Sequence, residues 1–371
     1  MRIAQVANFV GPNSGGMKSA LSALGVGYVA AGAQRLLVVP GPQDAVTSTS
    51  EGDVVQIRGP RIRGGYRLIV EPWRVMDIMR RFGPTSVELS DKLTLLPVAG
   101  WARRQGVRAI LLSHERLDDM WAAYSGLGSG ARGAVRVLNR QLVRSFDAIV
   151  VTSRYAQHEF QALADAVGCP VERVRLGVDL ETFQPRSEAD PSETAGRQES
   201  VGTLRLIHVG RLSREKSPEL AVAIAVELHR RGVDVRLDVY GEGPQRAELV
   251  RAAGVAPVHF HGFVNSRKDL SCRIATADVA LSVSPDETFG LAVLEALASG
   301  TPVVTASRGG ARELVDAGSG AWRHPDPVSL ADAVLEVAAR PEADRRGAAR
   351  RRAERYPWSS TVLRMLQVHA G

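Results

Sequence analysis

The stretch Asp286-Glu287-Thr288-Phe289-Gly290-Leu291-Ala292-Val293-Leu294-Glu295-Ala296 decides how this chain is read. Two acids, Glu287 and Glu295, flank seven residues, with a Phe-Gly step just after the first. Beyond Gly290, Leu291, Leu294 and Leu297/Ala298 recur at the spacing of one apolar helix face. The spacing therefore predicts a helix that starts near Gly290, with Glu287 in the loop before it. Glu295 then lies about 6–8 Å further along the axis, at ~1.5 Å per residue. The first amides of a helix have no partner inside it and can receive an anion. A phosphorylated ligand resting on Phe289, Gly290 and Leu291 would have one acid facing each end. A loop acid followed by a solvated helix acid would fit the same eleven residues.

A second stretch adds positive charge. Leu206-Ile207-His208-Val209-Gly210-Arg211-Leu212 reads as an apolar strand running into Gly-Arg-Leu, with Lys216 following before a helical run from Glu219 to Arg231. Arg211 offers a planar fork and Lys216 a point charge, and both suit phosphate oxygens. Either one alone would read as an ordinary solvated loop charge.

The order of motifs carries a resemblance. Gly210-Arg211-Leu212 with Lys216, then Gly241-Glu242-Gly243-Pro244, His261-Gly262-Phe263-Val264, Glu287 to Glu295, and Ser299-Gly300-Thr301-Pro302-Val303-Val304 follow one another along the second half. This resembles the nucleotide-sugar domain of glycosyltransferase family 4. The resemblance implies an α/β, GT-B fold: two doubly wound Rossmann-like domains facing across a cleft. It implies that Gly210, Arg211, Lys216, Gly241, Gly243, Phe289, Gly290 and Leu291 surround the nucleotide sugar. Glu287 would hold sugar hydroxyls and Glu295 ribose hydroxyls, while Phe263 and Val264 would place the base. A carboxylate just after Val264 would favour guanine, but the nearest is Asp269, so UDP, ADP and dTDP sugars stay open beside GDP sugars.

In the first half, Ser14-Gly15-Gly16-Met17 follows the first strand, and Gly15 and Gly16 would let backbone approach the donor closely. His114 ends a later strand in Ser113-His114-Glu115-Arg116, where the resemblance implies a contact with the transferred sugar; a satisfied loop histidine is the alternative. Glu88-Leu89-Ser90-Asp91-Lys92 and His114-Glu115-Arg116-Leu117-Asp118 are similar to short motifs of the phosphatidylinositol dimannoside mannosyltransferase subgroup. That likeness makes Asp91, Lys92, Arg116 and Asp118 acceptor candidates, with mannose from GDP-mannose as the implied donor and a phosphatidylinositol mannoside as the implied acceptor. A soluble natural product or polysaccharide acceptor, a nucleotide-sugar epimerase, and a binding protein without turnover are the competing readings.

Composition bounds these readings. A 371-residue chain suggests two domains, and 44% hydrophobic residues suit a soluble globular protein. The apolar runs are strand-sized, too short to span a bilayer. A first strand begins at Arg2 with no signal peptide before it, and Cys169 and Cys272 are too few for a disulfide framework or a cysteine zinc site. A cytoplasmic protein is the natural expectation. No Asp-x-Asp pair occurs, so the expected transferase uses no metal cofactor, and Arg211, Lys216 and helix amides would stand in for the cation.

The net charge is +7, and 22 of the 47 Lys and Arg but only 16 of the 40 Asp and Glu fall in residues 1–185. Arg132, Arg136, Arg140 and Arg144 repeat every fourth residue, a basic stripe on a helix. Such a stripe suits an anionic membrane surface, which makes peripheral attachment to the inner face of the plasma membrane one reading of it. A solvated face of an arginine-rich protein would look the same. No aromatic platform accompanies the charge, so nucleic acid is not expected.

Strand-like and helix-like stretches alternate through both halves, which argues for mostly parallel sheets. The polar residues 185–203 read as a linker, giving domains at 1–184 and 204–357. An amphipathic segment at 358–371 is expected to return to the first domain, as in the resembled family.

Overall fold

The computed structural model describes residues 1–8, 15–62, 66–117, 128–186 and 202–371, without the side chains of 128–132. Asp118, Arg132 and most of the polar stretch at 185–203 lie outside what is described. The chain forms two compact units, Met1–Leu176 with Trp358–Gly371, and Gly177–Pro357.

The first unit is built on an eight-stranded sheet in the order β3-β4-β2-β1-β5-β6-β7-β8. Its strands are β1 (Arg2–Val6), β2 (Gln34–Gly41), β3 (Ala45–Thr49), β4 (Gly52–Arg58), β5 (Ser86–Leu89), β6 (Arg108–Ser113), β7 (Ala148–Val151) and β8 (Val171–Arg173). All pair in parallel except β3, which runs antiparallel to β4 on the edge. The central strands are buried on both faces, which is why they read as continuous apolar runs. Ala4, Val6, Val87, Leu111 and Ile149 pack on one face with the helices Pro72–Phe82 and Leu96–Arg104. Ile3, Ile110, Ala148 and Val150 pack on the other with Leu24, Tyr28 and the apolar side of the helix Trp358–Ala370.

That terminal helix is seated closely. A Cβ on Gly27 would lie 2.2 Å from Val362 Cγ2, so the glycine lets two helices touch. His369 enters a buried polar cluster, with Nδ1 2.8 Å from Ser86 Oγ and Nε2 3.3 Å from both Tyr28 Oη and Glu88 Oε2.

The second unit has six parallel strands in the order β11-β10-β9-β12-β13-β14. They are β9 (Leu204–Val209), β10 (Val235–Tyr240), β11 (Val258–Gly262), β12 (Val279–Ser282), β13 (Val303–Ala306) and β14 (Gly320–Arg323). Leu206, Leu237, Val239, Leu281 and Val304 form its core with the helices Pro218–Arg230 and Pro327–Ala338. The sheet grows from β9 in two directions, so the chain reverses its winding between β9 and β12. Ligands of open α/β sheets bind in the crevice at such a switch point, beyond the carboxyl ends of the strands. Here it lies between the loop that follows β9 and the loop that follows β12.

Candidate active site

The loop after β9 carries the predicted cations. Gly210 N donates to Tyr240 O at 3.0 Å and Leu212 N to Glu242 O at 3.0 Å, which lays the loop along the one after β10. Gly241 and Gly243 make this possible. A Cβ at Gly241 would fall 1.8 Å from Gly210 O, and one at Gly243 2.3 Å from Leu212 O. Both glycines thus have a packing reason beside any contact with a ligand. A single 3-10 turn, Arg214–Lys216, follows, and Ser217 adopts φ 46° before Pro218 opens the next helix. The strained serine turns the chain sharply at Lys216. Arg211 is half-buried at the start of this loop.

The loop after β12 carries the acids. Gly290 caps the helix Leu291–Ala298 at φ 98°, a conformation that favours glycine, and Phe289 is buried beneath it. Glu287 is held from behind, since Gly310 N donates to its carbonyl at 2.6 Å and Arg308 pairs with Asp286 at 2.7 Å. The two loops meet. Ser284 Oγ donates to Glu215 O at 2.8 Å, and Lys216 Nζ donates to Glu287 Oε2 at 2.6 Å. The structure therefore brings together Lys216 and Glu287, 71 residues apart in the chain.

Glu295 lies just over one turn into the helix, paired with Arg267 at 3.3 Å. Burial pushes its carboxyl up to about 7, and Arg267 pulls the other way. In the base segment, the His261 side chain is engaged elsewhere. It stacks on Tyr240 at 4.6 Å, and its Nε2 lies 2.6 Å from Asp238 Oδ1. Phe263 is exposed, Val264 half-buried, and Gly262 O accepts from Gly241 N at 2.8 Å.

In the first unit, Gly15 and Gly16 open the helix Gly16–Ala30, and among the described residues, chain neighbours aside, no atom lies within 4 Å of a Cβ built on Gly15. His114 follows β6. Burial lowers its proton affinity; Glu115 works against that, and Lys92 adds to it. The acceptor candidates nearby are tied into the framework. Asp91 Oδ1 accepts from the amides of Leu93 and Leu95, and its Oδ2 from Asn8. Lys92 is buried against Glu159 at 3.0 Å and donates to Glu115 O at 2.5 Å, so it braces the His114 loop from inside. Arg116 lies over the Tyr155 ring at 4.4 Å and donates to Tyr155 O. The helix Gly128–Ser145 buries Val135, Leu142 and Val143 and exposes Arg136, Arg140 and Arg144.

Sequence reasoning passed over His208, Ser284 and the Gly309-Gly310 brace. A lone histidine inside the apolar run Leu206–Val209 was the available signal for the first; the others are contacts between distant segments and leave no local pattern.

Two family models match, "Glycosyl transferases group 1" over residues 203–340 and "Glycosyl transferase 4-like domain" over residues 15–177. The chain is 38% identical, over 99% of its length and 95% of the relative's, to the GDP-mannose-dependent alpha-(1-6)-phosphatidylinositol dimannoside mannosyltransferase of Mycobacterium tuberculosis. The chain belongs to this glycosyltransferase family. It is also 31% identical, over 73% of the chain and 66% of the relative, to the D-inositol 3-phosphate glycosyltransferase of Saccharomonospora viridis. Among solved structures, sucrose-phosphate synthase from Thermosynechococcus elongatus matches with a TM-score of 0.81 at 21% identity, covering 100% of this chain and 98% of that one. Anabaena Alr3699/HepE in complex with UDP-glucose matches at 0.77 and 18%, covering 100% and 99%. At such identities these neighbours speak to the fold alone, which is GT-B: two Rossmann-like units, the first on a mostly parallel sheet and the second on a parallel one. Among the described residues no helix is long and apolar enough to cross a membrane.

Proposed function

We propose that this glycosyltransferase moves mannose from GDP-mannose, with retention and without a metal ion, to a phosphatidylinositol mannoside. The observation that carries the reading is the meeting of Lys216 and Glu287 at the switch point between β9 and β12. A cation for the leaving phosphate and an acid for sugar hydroxyls stand side by side there. The donor's bond between the anomeric carbon and the phosphate oxygen breaks. Arg211, Lys216 and the amides at the start of the helix Leu291–Ala298 receive the charge that collects on the diphosphate. The acceptor hydroxyl attacks from the face the diphosphate leaves, and a phosphate oxygen takes its proton. Glu287 holds the sugar, Glu295 the ribose, and His114 is assigned to the sugar from the first unit by family resemblance. The mannose donor and lipid acceptor are taken from the name of the Mycobacterium tuberculosis relative.

The missing carboxylate after Val264 favours keeping a second reading, transfer from a UDP, ADP or dTDP sugar to another acceptor. Purified protein, given labelled GDP-mannose or UDP-glucose with phosphatidylinositol dimannoside, separates the two. Transfer from UDP-glucose alone removes the mannosyl reading. Loss of transfer in EDTA removes the metal-free one, and donor conversion without any acceptor favours an epimerase. For the membrane, exposed Arg136, Arg140 and Arg144 would each contribute about 1 kcal/mol near an anionic surface. Replacing all three with Gln should release the protein from vesicles containing phosphatidylinositol. Unchanged cosedimentation argues against that surface.

A further inference from the structure

His208 stands where the pairing of β9 with β12 stops. The register runs through Val279–Leu206 and Ala280–Ile207. One residue on, the side chain takes over from the backbone, and His208 Nδ1 lies 3.0 Å from Leu281 O. A carbonyl only accepts, so Nδ1 carries the hydrogen and donates it. In a neutral ring the other nitrogen, Nε2, is then an acceptor. It is buried with no hydrogen-bond partner among the described residues, and His208 as a whole is 3% exposed. Nε2 faces the phosphate loop: a Cβ built on Gly210 would find it as nearest neighbour, at 3.5 Å. Burial is the largest influence on the ring and lowers its proton affinity; the Leu281 bond opposes this, and the charge of Lys216 lowers it further. Leu206 fills the corresponding place two residues earlier on the same face of the strand. A second leucine would occupy the space of His208 without burying an unpartnered nitrogen, so packing alone does not account for an imidazole here.

The ring joins the two strands whose loops make the site. β9 leads to Arg211 and Lys216, and β12 leads to Glu287. We propose that His208 is a positioning residue for nucleoside diphosphate binding. Its Nδ1–H bond clamps the two strand ends and so sets where Lys216 stands relative to Glu287. The bond from Ser284 Oγ to Glu215 O is a second tie between the same loops, further from the sheet. The inference rests on reading residues 210–216 as the diphosphate loop.

Three variants of the full chain test it. His208→Asn offers an amide hydrogen where Nδ1 stands and nothing at Nε2. His208→Gln does the reverse, and His208→Leu keeps bulk and loses both. Affinity for GDP, UDP, ADP and dTDP is read by calorimetry, and KM and kcat by transfer. The Asn variant should stay within about threefold of the parent, while Gln and Leu weaken nucleotide binding about tenfold, the scale of one lost hydrogen bond. The loss should fall on donor KM and leave acceptor KM unchanged. Thermal unfolding separates positioning from plain stability, because the Leu variant should unfold no earlier than the Asn variant and still bind worse. A Leu variant that binds like the parent, or an Asn variant as weak as Leu, overturns the proposal. A parent protein that binds none of GDP, UDP, ADP and dTDP overturns the diphosphate reading itself, and this inference falls with it.

Discussion

Removing the ammonium of Lys216 should separate two things that the site does with one ion pair. Lys216→Met keeps the aliphatic stem and deletes the charge. The side chain of Glu287 is 13% exposed and that of Lys216 38%, so the acid is the partner that suffers when left alone. At 2.6 Å and an effective dielectric of about 20, the attraction is about 6 kcal/mol. Desolvation of the acid, ordering of the lysine and solvent screening offset most of it, leaving a net coupling of about 1–2 kcal/mol. Lys216→Met should therefore lower unfolding stability by about that amount, and adding Glu287→Gln should restore most of it, since an amide needs no counter-charge.

Activity should not follow stability. In the proposed reaction the ammonium also meets the leaving diphosphate, and loss of one such preorganised donor costs about 10²–10³ in rate. The double variant, stable again, should stay as inactive as Lys216→Met or become more so, because Glu287→Gln also loses a sugar contact. Urea unfolding and initial transfer rates on the four proteins of the cycle measure both quantities. Transfer by Lys216→Met within threefold of the parent would refute the leaving-group role. A coupling below about 0.3 kcal/mol, the usual scatter of additive pairs, would refute the pairing.

Three further outcomes are expected. The Glu295 carboxyl is raised to about 7 by burial, against the pull of Arg267. Its stabilising share is present below the unfolded value near ~4.3 and is lost as pH rises through 7, whereas ribose hydroxyls prefer the ionised acid; nucleotide affinity by calorimetry should thus strengthen up to about tenfold from pH 6 to 8, and Glu295→Gln should flatten that profile. Gly241→Ala puts a methyl 1.8 Å from Gly210 O at φ 139° and should cost about 3 kcal/mol or more of stability in urea unfolding; a parental midpoint would show that the two loops do not approach so closely. His369→Ala leaves Glu88 and Tyr28 short of a buried partner and should cost about 2–3 kcal/mol, read as earlier unfolding of the full chain, and an unshifted midpoint would mean the terminal helix is held by its apolar face alone.

Much of the architecture was legible in the chain because parallel strands buried on both faces announce themselves. Ala148–Val151 and Val279–Ser282 are short apolar runs with helical spacing on either side, and a strand forms at both places. β3 and β8 carry no such signal. β3 is Ala45–Thr49, almost wholly exposed on the sheet edge, and β8 has three residues; neither has an apolar run to show. Residue types and spacing set Lys216 and Glu287 apart, each in a loop whose glycines mark where the chain must turn, and the fold brings these two side chains together. Asp91 and Lys92, singled out by motif likeness, have framework contacts that no local pattern announces: one caps a turn and the other is buried beside Glu159. Sequence shows that a charge exists; only the fold shows what faces it.

The arginines make the same point on a larger scale and bear on which cations remain for a diphosphate. The helix Glu342–Ala353 is among the most basic segments, and on sequence grounds it could serve any anion. Instead Arg346 donates to the carbonyls of Ala275 and Ala277, Arg350 to those of Phe183 and Ala298, and Arg352 to those of Glu313 and Leu314. Those carbonyls include ones in the last turns of the helices Arg267–Ala275 and Leu291–Ala298, which have no backbone donor within the helix and carry partial negative charge. The helix Leu291–Ala298 is thus neutralised by Arg350 at its carboxyl end and left with its amino end at the switch point. Charge that looks generic in the composition is in this way sorted by the fold. Arginine closes the back of the second unit, and the front keeps Lys216 beside an acid whose other partner would be the sugar.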